Sequence, residues 1–336
     1  MQNLLDPAIL FFVFGVLAGS LKSNLEIPPA ISRFLCLYLL MALGLKGGFA
    51  LAETGLSGTV LVSIAAAMLM AFIVPALGYQ VLKNRVSRFD AAAIAASYGS
   101  VSAVTFVTAM QYLETNGMAA GGHMAAAMVF MESPAIIMAV LLANTLRHGQ
   151  PVAVTMATAG GAAVATLGSR NFGPPIGRIL HESFTDGAQL LLLGAMAIGY
   201  LSGETGRAMM APFSSDLFKG MLAFFLLDMG LTVAKNFGSV RGQSPFLIGY
   251  AAIGPLVHAS IALVLSILLQ LPAADAALLM VLSASASYIV VPAVLRYAIP
   301  EANPSLYLGL CLGITFPLNI LFGIPLYTSV ARHFLG

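Results

Sequence analysis

Tyr98-Gly99-Ser100-Val101-Ser102-Ala103-Val104-Thr105 sits in the middle of an apolar run that opens with Asp90-Ala91-Ala92. Ser283-Ala284-Ser285-Ala286-Ser287 sits in the middle of another, which opens with Asp275-Ala276-Ala277. At one constant offset Ser100 matches Ser285, Ser102 matches Ser287 and Tyr112 matches Tyr297. Residues two apart on a helix do not share a face, so alternate serines make a poor polar stripe on an unbroken helix. They make better sense where the helix is unwound and successive side chains and amides turn inward. Freed backbone groups persist at membrane depth only where they line a cavity or are buried in protein. Ser, Gly and Ala also let helices pack closely, and for one such segment alone packing stands as an alternative reading. Two segments matched in position favour a pair of helix breaks.

Composition puts both segments in lipid. Of 336 residues 59% are hydrophobic and only 8% charged, against roughly 25% charged in soluble domains. Such a chain cannot cover an ordinary water-facing surface. With no Trp, the interfacial aromatic belt rests on Tyr and Phe. A net charge of +2 and the absence of any basic run give no footprint for nucleic acid. Cys36 and Cys311 both fall in apolar stretches and read as core residues, not a disulfide. The opening Met1–Pro7 has no Lys or Arg and no cleavage site, so the first apolar run reads as a span, not a signal peptide.

About ten spans are expected, at about 7–22, 29–51, 57–83, 90–113, 122–147, 185–203, 213–235, 244–270, 275–298 and 305–333. Turn chemistry separates them at Pro28-Pro29, Asn116-Gly117, Gly121-Gly122, Pro174-Pro175, Gly242 to Pro245 and Asn303-Pro304. With both termini outside, the inner side receives most of the basic residues, Lys22, Arg33, Lys83, Arg85, Arg88 and Arg147 among them. The outer side receives only Lys46, Arg207, Lys219 and Arg332. The fold class is an all-α membrane protein of the cell membrane. Residues 1–148 form a first five-helix repeat, 149–184 a cytoplasmic linker and 185–336 a second repeat. Gly44-Leu45 and Gly230-Leu231 end the second span of each. An odd number of spans per repeat inverts the second relative to the first, with helices four and nine broken where they cross. Inverted repeats place their site near the midplane, between discontinuous helices. A half-helix starting there aims its N–H groups and positive dipole end at an anion.

Charged residues inside spans are costly. Glu132 precedes Ser133-Pro134, and Pro134 frees a carbonyl one turn earlier. It reads either as a cation ligand or proton relay, or as a helix-break residue paired with a neighbour. Asp228 is expected to reach the interface, His258 to be a satisfied packing residue, and Lys46 and Lys235 to snorkel. Asp90 and Asp275 read as N-caps. No HExxH, GxSxG, P-loop or Cys/His metal spacing occurs. The chain reads as no enzyme, and uphill transport would draw on an ion gradient.

Several segments together resemble the sodium-dependent bicarbonate transporter family of cyanobacterial carbon uptake. They are Leu43-Gly44-Leu45-Lys46-Gly47-Gly48, Tyr98-Gly99-Ser100-Val101-Ser102, Phe130-Met131-Glu132-Ser133-Pro134-Ala135 and the run from Leu295 to Ser305. The last is the most specific, since Ile299-Pro300 and Ala302-Asn303-Pro304-Ser305 are not dictated by hydropathy. The resemblance implies two inverted five-span halves, a homotrimer and sodium-coupled bicarbonate uptake, with no covalent cofactor. It also implies a cytoplasmic face open to a PII-like signalling protein. Carried over, the anion site is Gly99, Ser100, Ser102, Thr105, Ser285 and Ser287, and the sodium site Glu132, Ser283 and Ser287. Where the family has an Asp after the serine run, and then a Gly, this chain has Tyr288 and Val291. Two alternatives stand beside this reading. One is a transporter of the same fold for another anion, with proton coupling or none to sodium; the other is a membrane sensor or scaffold that does not transport.

Overall fold

The computed structural model describes residues 6–55, 58–148, 154–159, 162–167, 187–240, 242–288 and 290–336. The first half of the chain runs through α1 (Pro7–Ser20), α2 (Pro29–Thr54), α3 (Gly58–Leu82), the pair α4 (Arg88–Gly99) and α5 (Ala103–Thr115), and α6 (Met124–His148). The second half repeats that order: α7 (Gly187–Ala211), α8 (Phe218–Val240), α9 (Pro245–Leu268), the pair α10 (Ala273–Ala284) and α11 (Val290–Ala298), and α12 (Pro304–Leu335). Between them β1 (Val154–Ala159) and β2 (Ala162–Leu167) pair antiparallel, Val154 opposite Leu167. This hairpin departs from an all-helical chain, and the rest of the expected linker lies outside the described residues.

Helix starts follow local chemistry. Asp6, Ser244 and Asn303 each accept a first-turn amide, from Ala8 at 2.8 Å, Leu247 at 3.3 Å and Ser305 at 3.1 Å. Each is followed by Pro at the first helical position, where no N–H is needed. Every expected span window holds helix, and the fourth and ninth each hold two. Among the described residues six helical stretches are long and apolar enough to cross a membrane, with Arg88–Thr115 and Gly187–Gly238 each counted as one. At 14 residues α1 is about 21 Å long, short of the ~30 Å hydrocarbon core. Length and hydropathy alone therefore do not reach ten crossings.

Every residue from Ala91 to Gly99 in α4 and from Ala274 to Ala284 in α10 is buried, so these two half-helices occupy the centre. Large apolar side chains instead face outward from α1, α3 and α9, including Phe14, Leu61, Leu69, Ile253 and Val264. Such a surface suits lipid and would drive association in water.

The helices form two groups. In one, α1 lies along α8 and α2 along α7, the most extensive helix contacts in the molecule. In the other, α3, α4 and α6 pack together, as do α9, α10 and α12. Small residues allow the first set of contacts. A Cβ on Gly230 would sit 2.3 Å from the Phe12 carbonyl oxygen, and one on Gly48 would sit 2.1 Å from that of Met196. In lipid, where apolar burial gives little drive, such close backbone approach is what holds helices together.

Asp90 and Asp275 do something other than cap. The N-cap of α4 is Ser87, which accepts from the Asp90 amide at 3.0 Å, and that of α10 is Pro272. The Asp90 carboxylate accepts from the Asn303 amide at 2.7 Å, and the Asp275 carboxylate from the Gly121 amide, also at 2.7 Å. Each acid thus reaches the loop before the last helix of the opposite half. The start of α4 therefore lies beside the end of α11, and the start of α10 beside the end of α5. The two broken pairs enter the protein from opposite ends and meet at their breaks.

Candidate functional site

At the first break α4 stops at Gly99, which packs so closely on Pro75 of α3 that a Cβ there would lie 2.6 Å from the proline ring. Ser100 takes extended backbone, and α5 restarts under a Ser102 cap, whose Oγ accepts from the Thr105 amide at 3.2 Å. At the second break Ser285 is likewise extended, and Ser287 Oγ accepts from the Val291 amide at 3.4 Å in the first turn of α11. The breaks hold each other. The Ser102 amide donates to Ser285 Oγ at 3.1 Å, and the Ser287 amide donates to the Ser97 carbonyl at 2.8 Å.

Freed carbonyls find partners on α12, which carries π turns at Cys311–Thr315 and Asn319–Gly323. A π turn re-aims side chains within a helix. Asn319 donates to the Ala284 carbonyl at 2.8 Å and accepts from the Tyr327 hydroxyl at 3.1 Å. Thr315 donates to the Ala251 carbonyl at 2.7 Å and pairs with the Tyr98 hydroxyl at 2.6 Å. None of these α12 residues stood out in the sequence as part of the site.

A cavity of about 50 Å³ opens where the two helix groups meet. Ser102, Glu132, Ser287 and Tyr288 line one side, and Cys36 of α2 and Gln189 of α7 line the other. Three of the expected site residues, Ser102, Ser287 and Glu132, are thus brought together. Gly99, Ser100, Thr105, Ser283 and Ser285 are buried around the breaks but do not line the wall. The hydroxyls of Ser100, Thr105 and Ser283 have no hydrogen-bond partner among the described residues. Ser283 is therefore placed apart from Glu132 and Ser287, its expected companions.

Sequence reading missed Gln189. Its amide donates to the Glu132 carboxylate across the boundary between the two groups. The available signal was a lone amide in the otherwise apolar start of a span. Tyr288 stacks edge-on against Phe316 at 5.4 Å, and its hydroxyl reaches Ser102 and, at 3.7 Å, Met229 Sδ. The starts of α5 and α11 both abut this cavity, so two positive helix ends and one carboxylate share a small hollow. That arrangement suits an anion held beside a cation or a proton.

A larger hollow of about 590 Å³ lies further along α2, lined by Lys46, Glu114, Arg207, Asp216 and Lys219. Lys46 bonds Glu114 at 3.0 Å and lies over the Phe218 ring, so it is paired rather than snorkelling. Two other expectations also change. Asp228 is buried and accepts from Ser32 instead of reaching the interface. His258 packs in the interior, yet its Nδ1 has no hydrogen-bond partner among the described residues.

Residues 7–332 match the model of the Na+-dependent bicarbonate transporter superfamily. A comparison with curated proteins found no match.

Proposed function

The chain belongs to the Na+-dependent bicarbonate transporter superfamily, a multi-pass membrane transporter and not an enzyme, and from that premise we propose that it carries bicarbonate with sodium through the cavity between the two breaks. The observation that carries this reading is the shared hollow: two half-helix starts, the Ser102 and Ser287 hydroxyls and the buried Glu132 carboxylate all meet there. Helix N-termini favour an anion. A negatively charged carboxylate beside that anion opposes it, and a sodium ion between them offsets both the repulsion and the desolvation cost. In this reading α5 and α11 orient the anion, Glu132 with nearby hydroxyl and carbonyl oxygens takes the cation, and Gln189 steadies the carboxylate. The reciprocal Asp90 and Asp275 contacts support two inverted halves of five spans. The cavity's place between the two helix groups supports alternating access by movement of one group against the other.

Labelled bicarbonate uptake into proteoliposomes, measured across sodium concentrations, tests this. Uptake should rise and saturate with sodium and fall by tenfold or more in Glu132→Gln, in keeping with the steep cost of losing an intramembrane charge partner. Uptake indifferent to sodium but driven by a pH gradient would transfer the coupling role of Glu132 to a proton. No uptake at all would overturn the reading.

A further inference from the structure

A groove of about 380 Å³ lies between α3 and α9, separate from the cavity at the breaks and open towards the lipid-facing surface. Its rim is apolar and exposed, with Leu77, Val81, Ile253 and Val257 between 43% and 61% accessible. Gly249 and Gly254 create the depression. A Cβ on Gly249 would meet nothing within 4 Å, and one on Gly254 nothing closer than 3.7 Å. Neither glycine is therefore explained by close packing, and neither has positive φ. What they provide is an unfilled channel along the helix.

Two polar groups line this channel without partners. The Tyr250 hydroxyl and His258 Nδ1 are both buried with no hydrogen-bond partner among the described residues, and His258 is only 3% exposed. A buried polar atom left unsatisfied costs roughly 1–3 kcal/mol, so an apolar groove holding two of them is incomplete as it stands. A ligand carrying an acceptor oxygen at the level of Tyr250 would give that hydroxyl a partner.

The mouth of the groove names the other end of that ligand. Phe246 lines it, and the Arg85 guanidinium lies 4.9 Å from the centroid of that ring. Lys83 and Arg88 flank Arg85 in the same turn, while the nearby Asp90 is already engaged by Ser87 and the Asn303 amide. From Phe246 to His258 the helix rises about 18 Å, close to the ~15 Å hydrocarbon depth of one leaflet. We propose that the groove between α3 and α9 binds one anionic phospholipid, its phosphate on Arg85 and one acyl chain laid over Gly249 and Gly254. The ester oxygens then lie about one helical turn below Phe246, at the level of Tyr250.

The test uses the full-length protein reconstituted in nanodiscs of mixed phosphatidylglycerol and phosphatidylcholine. After a detergent wash, lipid retained per chain is counted by mass spectrometry. The wild type should keep roughly one phosphatidylglycerol, in preference to phosphatidylcholine by about fivefold, the factor one basic residue contributes near an anionic headgroup. Arg85→Gln, an exposed change, should abolish the preference. Gly249→Leu with Gly254→Leu should remove both lipids by filling the channel. A wild type without preference, or an Arg85→Gln protein that keeps it, overturns the proposal. So does a lipid-free wild type whose oligomers fall apart in the double-leucine variant, since the groove then seats a second copy of the chain. None of these readouts depends on transport.

Discussion

Ser285 shows how much one hydroxyl does at a break. Its Oγ donates to the Leu282 carbonyl at 2.8 Å and accepts from the Ser102 amide at 3.1 Å, joining the two broken helices through one atom. Ser285→Ala leaves a buried amide without its acceptor, at a cost of about 1–3 kcal/mol. A lower melting temperature in detergent, together with weaker uptake, is the expected outcome. Ser283→Ala makes the comparison, because its hydroxyl has no partner to lose. Equal melting temperatures for the two variants would show that the breaks do not rely on this contact. His123, in the loop before α6, carries a different kind of signal. Burial pushes its imidazole below the ordinary 6.5, against the pull of the Asp275 carboxylate 3.5 Å away. The folded chain then binds fewer protons than the unfolded one between that depressed value and 6.5. Its contribution to stability is complete above 6.5 and declines as pH falls below it. Melting curves taken from about pH 7.5 down to about pH 5 should show this decline. It should be shallower in His123→Gln, and parallel slopes would assign it to other groups.

Between helices, the decisive contacts are backbone to backbone. Gly15 and Gly230 face each other where α1 crosses α8, and Gly48 and Gly199 do the same where α2 crosses α7. Gly230→Leu drives a side chain into the Phe12 carbonyl and should destabilise the protein by about 1–3 kcal/mol or prevent assembly altogether. Gly238→Ala, on the same α8 but with nothing within 4 Å of the new methyl, should stay within about 1 kcal/mol of wild type. Thermal melting of both, purified side by side, checks the contrast. Much of this level was legible in the sequence, because helix starts are written locally. Asp6-Pro7, Ser244-Pro245 and Asn303-Pro304 each pair a cap with a proline, and the two serine runs announce their own breaks. Gln189, Asn319 and Thr315 were not legible. Their roles come from which distant helix each one meets, and hydropathy carries no information about partners. The reciprocal reach of Asp90 and Asp275 was hidden for the same reason, since a local rule made each a cap.

At the scale of the whole molecule, the two halves of the chain are interleaved rather than adjacent. The longest contacts, α1 with α8 and α2 with α7, each join one half to the other. The two acid-to-loop bonds also cross between halves, as do both bonds that link the breaks, one from the Ser102 amide to the Ser285 hydroxyl and one from the Ser287 amide to the Ser97 carbonyl. Each half packs three of its own helices together, α3 with α4 and α6 or α9 with α10 and α12, but its first two helices and its break take their partners from the other half. α4 without the second half loses the Ser287 amide that bonds the Ser97 carbonyl, whereas α10 keeps its Asn319 partner, which sits on α12 of the same half. In lipid, helices insert singly before they associate, so separate halves retain the chance to find each other. Residues 1–148 and 187–336, expressed together as two chains, should accordingly assemble into a complex that co-purifies and restores measurable uptake. Either half alone should be degraded or aggregate, because its crossing glycines face no partner and its break leaves unsatisfied amides within the membrane. Co-purification through a tag on one half, followed by bicarbonate uptake from the mixed sample, decides the matter. A half that is stable, monodisperse and helical by itself would mean that each repeat is a self-sufficient unit, and the cavity would then be a docking seam between two folded bodies instead of a core they build jointly.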